Sequence, residues 1–180
     1  MITIRAATPA DAEQIAQLER QHINAELDST EVAMSGQHFS QSDILTLITQ
    51  HWVAVAVHQS QIVGYVFAGR WGFFDKWPIY RFLSQRIDQY QVGSLCLSQR
   101  NSCQYGPIWI SDSFRQQGIF KRLVSQLMSQ IPAELSAAVT FIAESNQHSY
   151  SAHTHGAGMQ VLDFFDFDDR DYYLLAIKTR

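Results

Sequence analysis

Apolar positions recur along the chain first at a period of two and then at a period near three and a half, and the switches between the two predict its elements. Ile2-Thr3-Ile4-Arg5 alternates apolar and polar, which reads as a short strand. Thr8-Pro9-Ala10-Asp11 carries the signals of a helix start: Thr8 to cap, Pro9 in the first turn, Asp11 near the positive end. Ala12, Ile15, Ala16 and Leu18 then fall on one broad helical face. The polar stretch from Asp28 to Gln41 reads as loop, and Ser40-Gln41-Ser42-Asp43 opens a second short helix bearing Ile44, Leu45, Leu47 and Ile48. Trp52 to Val57 and Ile62 to Phe67 are two strands. Only His58-Gln59-Ser60-Gln61 separates them, so an antiparallel hairpin is predicted.

From Arg70 to Gln104 the periodicity weakens. The segment is rich in aromatics, with a helix predicted from Pro78 to about Tyr90 and a strand over Ser94 to Leu97. Its aromatic residues from Trp71 to Tyr90 suit either core packing or the lining of a pocket. Tyr105 to Ile110 is a strand, followed by a polar loop and a helix running from Gly118 to about Gln130. On that helix Ile119, Phe120, Leu123, Val124, Leu127, Met128 and Ile131 share one half of the wheel; Lys121, Arg122, Ser125, Gln126 and Ser129 take the other. Val139 to Ala143 is a buried strand and Asn146 to about His155 a helix. Gln160 to Phe167 and Tyr172 to Ile177 form a closing hairpin around Asp168-Asp169-Arg170-Asp171. The order is β, α, α, β, β, (α), β, α, β, α, β, β. A strand–helix–strand unit in the second half implies one parallel pair within an otherwise antiparallel sheet, an α/β fold of the α+β kind. No repeat or low-complexity linker interrupts it, so residues 1–180 are expected to form a single domain.

Composition narrows the function. At 180 residues with 46% hydrophobic and 17% charged positions, the chain supports a sizeable core. A formal net charge of -4 and a pI near 5.9 count against nucleic acid as the main partner. No stretch approaches the ~20 apolar residues that span a bilayer, and no apolar signal core opens the chain, so the expected location is the cytoplasm. Cys96 and Cys103 are too few for a disulfide framework or a thiolate zinc site. Cys103 lacks an adjacent base or helix start to activate it as a nucleophile. His148, His153 and His155 do not make a metal site either: positions 153 and 155 point in different directions, with no acidic or Cys ligand to complete a set.

The chemistry concentrates between Ile110 and Phe120. A strand ends there, a polar loop turns, and a helix begins near Gly118. The first helical turn offers unpaired N–H groups and partial positive charge, and a loop that delivers further N–H groups makes a nest for phosphate. Gly118 keeps side-chain bulk away, and Arg115 adds a full charge. This segment, Ile110-Ser-Asp-Ser-Phe-Arg-Gln-Gln-Gly-Ile-Phe120, resembles the pyrophosphate-binding motif of the GNAT N-acetyltransferase superfamily, Q/R-x-x-G-x-G/A. Arg115 and Gly118 match it; Phe120 departs from it. Further on, Ala143-Glu144-Ser145-Asn146, Ser149, His153 and Gly158-Met159 are similar to the family's later strand–helix segment.

The resemblance implies a GNAT-like mixed sheet with helices on both faces. It also implies acetyl-CoA as co-substrate, its pyrophosphate on Arg115, Gln116, Gln117, Gly118, Ile119 and Phe120. Asn146 would meet the pantetheine or phosphate part, besides capping its own helix. A primary amine of a small molecule or protein would attack the thioester directly, with the oxyanion held by the backbone N–H of Trp109 or Ile110. By the same resemblance Glu144 is the candidate base, Tyr150 and His153 are candidate acids, and a homodimer is a common assembly of the family. The alternative is a non-catalytic acyl-CoA-binding module of the same fold, motivated by Phe120. A P-loop is disfavoured, because the Lys-Ser/Thr pair it requires is missing. The acidic turn bearing Asp166, Asp168, Asp169 and Asp171 either attracts a cation or simply solvates the turn.

Overall fold

A computed structural model describes residues 1–22 and 39–180. Its strands are β1 (Ile2–Ala6), β2 (Trp52–His58), β3 (Gln61–Gly69), β4 (Gln91–Val92), β5 (Leu95–Cys96), β6 (Ser102–Ile110), β7 (Ala137–Ala143), β8 (Gln160–Phe167) and β9 (Arg170–Lys178). The α-helices are α1 (Ala12–His22), α2 (Gln41–Gln50), α3 (Trp71–Phe74), α4 (Pro78–Ser84), α5 (Ile119–Gln130) and α6 (Gln147–Ser151), the last continued by a π-helical turn over Ala152–Gly156. Most of the loop expected over Asp28 to Gln41 lies outside the described residues, and Gln41 itself begins α2.

Seven strands form one sheet in the order β1-β2-β3-β6-β7-β9-β8, and β4 pairs with β5 in a small separate hairpin. The expected parallel pair is β6 with β7, in register from Ser102↔Ala137 to Gln104↔Val139. β1 with β2, β7 with β9, and β8 with β9 are antiparallel. The mixed sheet inferred from the order of elements is therefore present. The long hairpins turn more tightly than their sequences suggest. Gln59-Ser60 (φ 48° and 66°) and Asp168-Asp169 (φ 52° and 60°) are left-handed at both central positions, as in the turns that match strand twist. None of the four is glycine, so neither turn carries the usual signal.

Polar side chains fix where the first helices begin. Asp43 N–H donates to Ser40 Oγ at 3.1 Å and Ser40 N–H to Asp43 Oδ2 at 2.9 Å, a reciprocal cap. Asp11 accepts from the N–H of Thr8 at 2.7 Å and from both terminal nitrogens of Arg5, at 2.7 and 3.0 Å. That pairing with Arg5 above all holds the Asp11 carboxyl below its ordinary range. On α1 the buried stripe is Ala12, Ile15, Ala16 and Glu19, at i, i+3, i+4 and i+7. Leu18, assigned to that face from the sequence, is only half-buried, and a carboxylate occupies the interior position instead.

The chain falls into two compact units. One comprises Met1–Phe67 and Pro107–Leu127, the other Ala68–Gly106 and Met128–Arg180, so β3, β6 and α5 each run through both. In the first unit the interior includes Ile15, Ala16, Ile44, Leu47, Tyr65, Phe67 and, from the amphipathic helix α5, Ile119, Leu123 and Leu127. In the second, Trp71, Leu83, Ile87, Val92, Leu97, Ala137, Val139, Leu174 and Ala176 make one apolar cluster with Phe82, Tyr90, Phe141 and Phe165 packed against it. Most of the aromatic segment from Trp71 to Tyr90 is thus core: Trp71 is buried and its Nε1–H donates to Ser102 Oγ at 3.0 Å. Tyr80 stacks on Phe74 at 4.7 Å.

Gly64 on β3 marks a point of close approach. A Cβ there would lie 3.1 Å from the carbonyl oxygen of Trp109 and 3.3 Å from a Leu123 methyl, and the first of these is backbone that cannot step aside. Gly64→Val is expected to lower the melting temperature by roughly 3–10 °C through overpacking. Gly72→Ala, where a Cβ meets nothing within 4 Å, should leave it unchanged or slightly raised. Thermal denaturation of the two variants beside the parent checks the contrast.

Candidate functional site

In the first unit, β6 leads into a 3-10 turn at Asp112–Phe114 and then into α5. Between them Gln116 (φ 63°) and Gly118 (φ 72°) are both left-handed. The first α-helical bond of α5 is Arg122 N–H to Gly118 O at 3.3 Å, so the N–H groups ahead of it point out of the helix end. A Cβ at Gly118 would meet nothing within 4 Å. The glycine therefore serves its backbone conformation, and the space beside it is open, as an entering phosphate requires. Arg115 does not stand alone at this mouth: its guanidinium pairs with Asp112 at 3.0 Å and its Nε–H reaches Ile110 O at 3.3 Å. Ile119 is buried, Phe120 half-buried, and Gln116 and Gln117 exposed.

The same unit holds a polar group that sequence reasoning missed. Glu19 on α1 is 7% exposed, and the hydroxyl of the fully buried Tyr65 on β3 donates to its carboxylate. Burial pushes Glu19 up to about 7, against the opposing pull of that hydrogen bond. Tyr65 lies 5.7 Å ring to ring from Trp109, and His22, nearly one turn beyond Glu19, stacks on Trp109 at 4.5 Å. A charged residue at i+7 of an apolar helical stripe was the available signal.

In the second unit Asn146 caps the helix it opens, its Oδ1 accepting from Ser149 N–H at 3.1 Å. Glu144 is exposed at the end of β7, its N–H donating to Asp171 O at 2.9 Å. Tyr150 is half-buried with its ring 4.4 Å from that of Tyr173. Gly158, with φ 72°, ends the helical segment, and Met159 N–H returns to His153 O at 2.9 Å. On β6, Gly106 has φ 98°, and a Cβ there would sit 3.3 Å from Thr140 Oγ1. Cys103 is buried and its thiol pushed up to about 12 by loss of water, which leaves it inert at neutral pH. Among the described residues no three His, Cys, Asp or Glu side chains gather as metal ligands. No described helix is long and apolar enough to cross a membrane.

His153 is interior. It is 2% exposed, with Nδ1 2.7 Å from Ser149 O and Nε2 3.2 Å from the Tyr105 hydroxyl. The carbonyl partner puts the proton on Nδ1, so Nε2 accepts from Tyr105. Burial lowers His153 from 6.5 to about 4. Between those values the unfolded chain takes a proton that the folded one refuses, so stability is lost as pH falls from 6.5 toward 4, by up to roughly 3 kcal/mol from this group. His153→Gln should flatten that part of the curve, as urea unfolding at pH 4.5 and 7 measures; a change in stability with pH equal to the parent's would refute it.

No protein-family model matches the sequence, and no curated protein matches it. Solved structures do. Over 99% of both chains it superposes on the acetyltransferase of GNAT family from Streptococcus pneumoniae with TM-score 0.64 at 12% identity. Arabidopsis thaliana NAA60 in complex with acetyl-CoA matches with TM-score 0.64 at 15% identity, over 99% of this chain and 98% of that one. The ribosomal-protein-alanine N-acetyltransferase from Brucella melitensis matches with TM-score 0.62 at 18% identity, over 98% and 99%. At such identities the likeness is one of architecture, and the mixed seven-stranded sheet with its parallel β6–β7 pair is the fold of the GNAT acetyltransferases.

Proposed function

We propose that the chain is an acetyl-CoA-dependent N-acetyltransferase, built as a single domain, which transfers acetyl to a primary amine of a small molecule or protein. The observation that carries this is the start of α5 on a GNAT fold: two left-handed residues, Gln116 and Gly118, ahead of a helix end whose glycine faces open space. Backbone N–H groups from Gln116 to Phe120 would take the pyrophosphate, with Arg115 exchanging Asp112 for phosphate. The backbone N–H of Trp109 or Ile110 would receive the oxyanion. Phe120 stands where the motif prefers a small residue, and it is half-buried on the helix.

Acetyl-CoA at a hundredfold excess over its Kd should raise the melting temperature by roughly 5–10 °C, and ATP should do far less. Gly118→Asn tests the nest, because asparagine tolerates a left-handed backbone while its side chain fills the cradle. The variant is expected to fold and to lose the shift. No shift with acetyl-CoA in the parent refutes the proposal. A shift without thiol release under any amine favours a binding module of the same fold.

A further inference from the structure

We propose that Glu19 is the general base of the transfer, taking a proton from the acceptor ammonium beside Trp109. The proposal rests on the acetyltransferase reading above and adds to it a residue that the motif does not contain. Its ground is the arrangement within the first unit. Glu19 comes from α1, Tyr65 from β3, and Trp109 from the end of β6, one residue before the strand leaves for the loop that opens the nest. Tyr65 and Glu19 form the buried inner pair; His22 and Trp109, stacked at 4.5 Å, form the half-buried outer pair.

Loss of water moves the Glu19 carboxyl toward its neutral form. Among the described residues its hydrogen-bond partner is the Tyr65 hydroxyl and it has no ion pair, so its negative charge is met by one neutral donor. The other charged or titratable groups of its own helix are Glu13, Arg20 and His22, and the 3-10 turn ahead of it carries Asp11, committed to Arg5 and Thr8. α2, packed beside α1, carries a single charged residue, Asp43, committed to the Ser40 cap. Loss of water is what shifts Glu19, into the range where a base accepts a proton near neutral pH. Glu144, by contrast, is exposed at a strand end.

The step balances as follows. The Glu19 carboxylate takes one proton from R–NH3+, leaving R–NH2. The nitrogen lone pair forms the C–N bond to the thioester carbonyl carbon, and the C–S bond breaks with its electron pair on sulfur. The proton still in excess on nitrogen passes to the thiolate, giving the amide, free CoA thiol and protonated Glu19, which returns its proton to water.

The test is steady-state thiol release by the parent, Glu19→Gln and Tyr65→Phe, with acetyl-CoA and a panel of tyramine, agmatine, spermidine and an amino-terminal peptide. In the parent, kcat/KM is expected to rise with pH through about 7 as the carboxylate ionises. Glu19→Gln should lose roughly 100-fold or more in kcat and the limb itself, while acetyl-CoA still raises its melting temperature. Tyr65→Phe removes a hydrogen bond that favours the ionised form, so its limb should move to higher pH. That variant keeps the proposal testable if Glu19→Gln does not fold. Activity of Glu19→Gln within threefold of the parent, or a limb that stays in place in Tyr65→Phe, overturns the assignment while leaving the transferase reading intact. A parent that binds acetyl-CoA yet releases thiol with no amine overturns that reading and the base together, and this is seen before any variant is made.

Discussion

Strand β6 has β3 and β7 as its neighbours in the sheet, and the candidate site depends on how its last residues are held. Its parallel register with β7 runs only to Gln104↔Val139. Gly106 then adopts φ 98° against Thr140, a conformation that any residue with a Cβ would find both strained and crowded. Beyond it, Trp109 O occupies the space that a Cβ on Gly64 of β3 would need, and Ser111 N–H bonds to Val63 O at 2.9 Å. The strand's exit is thereby tied to β3, and so is the loop with its two left-handed residues. A nest made of N–H groups has no side chain to adjust it, so its precision is inherited from the strand that delivers it.

Loss of water sets the electrostatic character of both units in the same way. In each, a buried tyrosine hydroxyl serves a buried titratable group: Tyr65 donates to Glu19, and Tyr105 to His153. Burial pushes the acid up and the base down, so both groups drift toward their neutral forms. The hydroxyls differ in what they do about it. Tyr65 favours the charged form of its partner, whereas Tyr105, donating to an imidazole nitrogen that already lacks a proton, fastens the neutral one.

Elements set by periodicity were legible in the sequence: the amphipathic α5, the two long hairpins, and the parallel pair implied by strand–helix–strand order. Those set by backbone conformation were not. Gln59-Ser60 and Asp168-Asp169 hold left-handed conformations without glycine, so the sequence around them suggests longer turns than the two residues that suffice. The β4–β5 hairpin is too short to leave a period. At the candidate site the nest was legible because glycine and a helix start carry known geometry. Glu19 continues the i, i+3, i+4, i+7 stripe of Ala12, Ile15 and Ala16, but a carboxylate is ordinarily placed in water, so the stripe alone did not mark it as interior. The crowding at Gly64 was equally invisible, since the atoms that make it lie more than forty residues away in the chain.

The two tight turns also bear on which changes of length the chain can absorb. Each joins its strands through two residues, so there is no slack between the end of one ladder and the start of the next. One residue added at Gln59-Ser60 or Asp168-Asp169 would slip a strand by one position and exchange its inward and outward faces. On β9, Leu174 and Ala176 face one way and Leu175 the other, all fully buried, so each would be forced into a space shaped for a different side chain. These two tips can change their residues far more readily than their number, and divergence in length is left to the other connections of the chain.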